Sequence, residues 1–153
     1  MKKIKKILFV IVPLVIILAV GFLLYKPEKS IDDFDNFMSN RGLTCADTSS
    51  IVSDGELLTN AMIAVTDSYQ IEFYESNSKD SAKQLLQTNI NSLKELMPKG
   101  KDKTRFFLGF KSFEIEDSNY YAKVIRVGKT YLYCRVPLVS RDEVKELIKD
   151  FKY

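Results

Sequence analysis

The stretch YYAKVIRVGKTYLYCRV, Tyr120 to Val136, governs the reading of this chain. On both sides of Gly128-Lys129 the side chains alternate strictly, and β-branched and aromatic types dominate. That pattern predicts two antiparallel strands, 120–127 and 130–136, joined by a tight turn. After the turn, one face carries Thr130, Leu132, Cys134 and Val136, and the other carries Tyr131, Tyr133 and Arg135.

Toward the C-terminus, Ser140 and Glu143 have the spacing of a capping box, and Val144, Leu147, Ile148 and Phe151 form the apolar stripe of a last helix. Toward the N-terminus, Arg105 to Phe110 and Phe113 to Glu116 read as strands, preceded by a charged, Gly-containing loop from Pro98 to Lys103. Before it, Ser78 caps a helix whose Ala82, Leu85, Leu86, Ile90, Leu93 and Met97 recur at helical spacing until Pro98. Ala61 to Val65 and Tyr69 to Tyr74 are strand-like around a turn at Asp67-Ser68. Asp54-Gly55 is another turn signal, and a weakly patterned stretch holds Cys45. Ser30 and Asp33 open a first helix carrying Ile31, Phe34, Phe37 and Met38 on one stripe, and Gly42 stops it. The expected class is α+β: an antiparallel sheet with about three helices, packed on one face of the sheet.

The first 25 residues read differently. Ile7 to Tyr25 is an uncharged apolar run behind Lys2, Lys3, Lys5 and Lys6. Its length, about 28 Å as a helix, matches a bilayer core of roughly 30 Å. The expectation is a cytoplasmic tail at 1–6, a single transmembrane helix at 7–25 with its N-terminus inside, and one extracytoplasmic domain at 26–153. The alternative is a secretory signal cleaved near Ala19-Val20-Gly21. No Cys near the end of the run would accept a lipid.

Charge limits the partners. Four of the 23 Lys and Arg precede the apolar run, which leaves 19 against 20 Asp and Glu for the remainder. Such a balance gives no global case for nucleic acid. The chain contains no His, so it has no Ser-His or Cys-His pair, no imidazole acid-base group and none of the common zinc-ligand sets. Ser76-Asn77-Ser78-Lys79 matches S-x-x-K but lacks the companion motifs of that enzyme class, and Gly128-Lys129-Thr130 lacks the upstream Gly and the following helix of a phosphate loop. Neither a cofactor nor a metal is expected. Carboxylates are the remaining chemistry. Asp32, Asp33 and Asp35 suit a helix N-terminus, while Glu114 and Glu116 sit on the polar side of a strand.

Three residue groups stand out as candidate sites. Lys99, Lys101, Lys103 and Arg105, with Lys94 and Lys111 nearby, form a basic group suited to an anionic surface. Tyr69, Tyr121, Tyr131 and Tyr133 lie on neighbouring strands and form a candidate interaction face, with core packing as the alternative. Cys45 and Cys134 are the only two cysteines and, outside the cytoplasm, are a candidate disulfide closing a loop of roughly 90 residues. Two free buried thiols are the alternative.

The strand Ala64 to Phe73, the helix Ser78 to Leu93, the hairpin from Tyr120 and the terminal Asp142-Glu143-Val144 helix resemble a pattern in small extracytoplasmic lipoproteins and single-pass proteins of low-GC Gram-positive bacteria. The resemblance implies a cell-envelope location and no particular activity, and it transfers no binding residues. Together these readings lead to a membrane-anchored, non-catalytic binding or accessory module of the cell envelope, with another envelope protein or an anionic wall polymer as partner. A cell-wall or lipid-modifying enzyme using carboxylates is the alternative, and an immunity-type or sensor membrane protein is a further one.

Overall fold

The hairpin at the centre of the sequence is also the centre of the molecule. The computed structural model describes residues 26–50, 57–107 and 109–153. In it, Tyr120–Val127 and Thr130–Pro137 pair antiparallel through a turn in which Gly128 has φ of 59°. A side chain there would be strained by that angle, and its Cβ would run into the Glu28 carboxylate, which accepts a 2.6 Å hydrogen bond from the Lys129 N–H.

In chain order the elements are α1 (Ile31–Asn40), β1 (Thr44–Asp47), β2 (Leu58–Val65), β3 (Gln70–Ser76), α2 (Lys79–Leu96), β4 (Lys101–Phe107), β5 (Phe110–Glu116), β6 (Tyr120–Val127), β7 (Thr130–Pro137), a 3-10 turn at Leu138–Ser140 and α3 (Arg141–Asp150). All strand pairs are antiparallel, in the order β1-β2-β3-β7-β6-β5-β4. Two meanders, β1 to β3 and β4 to β7, therefore join where β3 meets β7.

Helices cover both faces, which corrects the expected single helical layer. Phe34 and Met38 of α1 and Val144, Leu147 and Ile148 of α3 pack with Ile71, Phe73, Ile125, Leu132 and Cys134. Leu86, Ile90 and Leu93 of α2 pack with Phe113, Ile115, Ala122, Val124 and Tyr131 on the opposite face. The physical reason is in β6 and β7, whose alternate positions are apolar on both sides, so each face needs a cover against water. Phe34 stacks on Phe73 at 5.0 Å, and Phe151 meets both rings edge-on. Such rings each contribute about 1.5 to 3 kcal/mol by burial.

Several local expectations also change. The first helix does open on a reciprocal Ser30–Asp33 capping box. The second box is absent: the Ser140 side chain makes no cap bond, and Glu143 instead accepts 2.7 Å from the Tyr69 hydroxyl. The loop expected to run to Lys103 turns into strand at Lys101, and the Cys45 stretch is itself an edge strand. The Asp54-Gly55 turn lies outside the described residues.

The expected transmembrane helix is not among the described elements. Among the described residues no helix is long and apolar enough to cross a membrane. The longest, α2, has 18 residues and an exposed side bearing Lys79, Asp80, Lys83, Lys94 and Glu95. Residues 1–6 and 7–25, where the tail and the span were expected, lie outside the described residues.

The disulfide expectation is corrected too. Cys45 and Cys134 are both free. They occupy one cross-strand row, Cys45 opposite Ala64, Ala64 opposite Ile71 and Ile71 opposite Cys134. Three strand spacings of about 4.8 Å separate them by about 14 Å, twice the roughly 7 Å a disulfide spans. The intervening β2 and β3 make the bond impossible.

Candidate functional site

On the face that carries α1 and α3, α1 lies over β1, β2 and β3 and α3 packs on residues of β3, β6 and β7, which leaves β4 and β5 open. Alternation in β4 turns Lys101, Lys103 and Arg105 onto this open face, opposite Glu116, Glu114 and Ser112 of β5. The next strand adds Lys123, in register with Glu114, and Tyr121, in register with Glu116. Two adjoining hollows of about 480 and 440 Å³ run between this surface and α3, sharing Glu114 and Lys145. Lys99, Lys101 and Lys103 line the first, and Lys26, Arg105, Lys123 and Lys149 the second. The result is a basic groove along an exposed edge strand.

Three of its four acids make ion pairs, and the fourth, Asp117, accepts hydrogen bonds from the Asn119 and Tyr120 N–H groups. The Glu116 carboxylate lies 3.0 Å from the Arg141 guanidinium, and Asp102 lies 3.6 Å from Lys94. Glu114 accepts 3.2 Å from the Tyr121 hydroxyl and stands 3.9 Å from the Lys123 ammonium. Burial pushes Lys123 below the usual lysine range; Glu114 opposes that lowering, while Arg105 and Lys145 add to it. Lys145 also sits over the Tyr121 ring at 4.6 Å. Most groove cations therefore have no carboxylate of their own, and the field there is positive.

The structure brings the sequence-predicted basic residues Lys99, Lys101, Lys103 and Arg105 together with cations that the sequence reading passed over. Lys123 had a signal: it interrupts an otherwise apolar face formed with Tyr121 and Ile125. Lys145 and Lys149 had none, since a lysine on the polar side of a terminal helix reads as solvent-facing until the helix is placed.

The tyrosines do not form one face. Tyr69 and Tyr121 are buried on the α1/α3 side, and Tyr131 is buried on the α2 side, stacked at 4.6 Å on Tyr74. Tyr133 is half-buried on that second side. Burial raises all four phenols, and the neighbouring carboxylates Glu143, Glu114 and Glu72 add to the rise. The Cys134 thiol is pushed up to about 12 by burial. Among the described residues, no group of three or more Cys, Asp or Glu could hold a metal ion.

No family model matches the chain, and no curated protein does. A solved structure described as a GTP binding regulator from Thermotoga maritima is similar at 13% identity, covering 84% of this chain and 89% of that chain, with a TM-score of 0.46. A likeness of that strength carries no argument about what this chain does.

Proposed function

We propose that this domain is a non-catalytic binding module of the cell envelope, and that its groove takes an extended polyanion such as an anionic wall polymer. The observation that carries the reading is the alignment of Lys101, Lys103 and Arg105 along one open face with Lys123, Lys145 and Lys149 across from them, while Glu116 is tied to Arg141 and Glu114 to Tyr121 and Lys123. An extended groove with spaced point charges suits a repeating phosphodiester better than a single compact ion. Placement outside the cytoplasm is supported only by the sequence of residues 1–25 and by the resemblance drawn from residues 64–144.

The carboxylate-enzyme reading has one observation in its favour: Glu114 and Glu116 both border the groove. Their engagement by Tyr121, Lys123 and Arg141 speaks for a structural role, holding the lysines apart and in place.

Calorimetric titration of the full chain with linear polyphosphate tests the reading. Binding is expected to weaken with added salt, and Lys103→Glu with Arg105→Glu is expected to cost at least about 2 kcal/mol, at about 1 kcal/mol for each charge close to an anionic surface. Hydrolysis of the polymer, lost on Glu114→Gln, would instead favour the enzyme.

A further inference from the structure

The opposite face holds a second basic feature that the groove does not use. Lys111 of β5 and Arg126 of β6 stand directly opposite each other on the α2 side. Like charges in register repel. Neither has a carboxylate partner among the described residues: the Lys111 ammonium reaches only Gln87 Oε1, at 3.4 Å, and the Arg126 Nη1 donates to the Gly128 carbonyl at 2.9 Å. Arg126 is only 8% exposed, and its Nε has no hydrogen-bond partner among the described residues.

A guanidinium removed from water without an anion is costly, and the usual remedy is a paired acid. Here the remedy is missing and a hollow of about 660 Å³ takes its place, lined by Arg126, Lys111 and Lys83 with no acid, and walled by Phe106, Phe107 and Phe110. Phe106 is 83% exposed, a large apolar ring left in water at the rim. Lys83 is occupied by Asp80 at 2.7 Å, so the free charge belongs to Lys111 and Arg126.

We propose that this hollow is a binding site for a small phosphate ester, its phosphate held between Arg126 and Lys111 and its apolar substituent resting on Phe106. Two cations without an acid match a dianion, and the planar guanidinium fits two phosphate oxygens at once. The aromatic wall selects an ester over free phosphate. Phe106, Phe107 and Phe110 also border the second hollow of the polyanion groove, so the two sites meet at the β4–β5 turn, but Lys111 and Arg126 line this hollow and not the groove.

Titration of the isotope-labelled full chain with phenyl phosphate and, separately, with inorganic phosphate tests the site by amide shifts. Saturable shifts at Lys111 and Arg126 are expected with both, and phenyl phosphate is expected to bind about tenfold more tightly and to move Phe106. Arg126→Met should abolish the response and, by removing a buried unpaired charge, raise the melting temperature of the ligand-free protein. If that variant fails to fold, Lys111→Gln provides the same loss of affinity. Absence of saturable shifts at these residues, or shifts unchanged in the variants, overturns the site; equal affinity for both probes overturns the ester.

Discussion

Lys123 and Glu114 face each other in register across β6 and β5, their charged ends 3.9 Å apart, on the floor of the basic groove. Both side chains are mostly buried, with 20% and 25% exposed. Removing one partner of such a pair leaves the other's charge partly desolvated. Glu114→Gln is therefore expected to destabilise by about 1 to 2 kcal/mol, less than the roughly 3 to 5 of a fully buried pair, whereas Glu114→Gln combined with Lys123→Met, which removes both charges, is expected to be near neutral. Urea denaturation of the two variants measures both, and a Glu114→Gln protein as stable as the parent would show that the pair holds nothing.

Alkaline pH should unfold the protein through its phenols. Burial raises Tyr69, Tyr74, Tyr121, Tyr131, Tyr133 and Tyr153 above their ordinary value near 10.0. The native state then keeps protons that the unfolded chain loses above pH 10, so stability is intact below that pH and declines as pH rises beyond it. The lowered Lys123 and Lys26 have the opposite sign and add stability as pH rises toward 10.5, but they are two groups against six. Tyrosinate absorbance should appear together with loss of the native circular dichroism signal; free titration of these phenols near pH 10 in a folded protein would contradict the burial.

The thiols give a direct reading of the sheet order. Cys134 is fully buried with its thiol pushed up to about 12, and Cys45 is half-buried. In the native protein Cys134 should resist alkylation while Cys45 reacts slowly, and both should react in denaturant without reductant. A mass showing no alkyl groups under those conditions would mean a disulfide and a different strand order.

Phe73 ties three elements together, stacking on Phe34 and meeting Phe151 and Tyr153 edge-on. Phe73→Ala should cost about 3 to 5 kcal/mol, measurable as a lower urea midpoint. A loss under about 1 kcal/mol would mean that α1 and the C-terminus do not rest on this ring.

Local patterning made much of the fold legible. The 120–136 hairpin, the helix from Ser78 to Met97 and the Ser30–Asp33 cap follow from alternation, spacing and capping within single segments. What depended on partners was not legible. The Cys45 strand is short and mostly exposed, so only its pairing with β2 makes it a strand. Lys101 to Arg105 is charged or polar throughout because β4 is an edge, where lysines discourage further pairing, and charge alone reads as loop. Half of the groove followed the same rule: Lys101, Lys103 and Arg105 were visible as a basic group, whereas Lys145 and Lys149 joined them only when α3 folded back onto the sheet. The disulfide failed for a related reason, since face direction is local but strand order is not.

Amide shift mapping of the full chain with linear polyphosphate tests the polyanion groove most directly. The account predicts saturable shifts along Lys101 to Arg105 of β4 and around Lys145 and Lys149 of α3, lost in the Lys103→Glu, Arg105→Glu protein and retained in Arg126→Met. Shifts absent from the groove, or confined to the Lys111 and Arg126 side of the sheet, would contradict it.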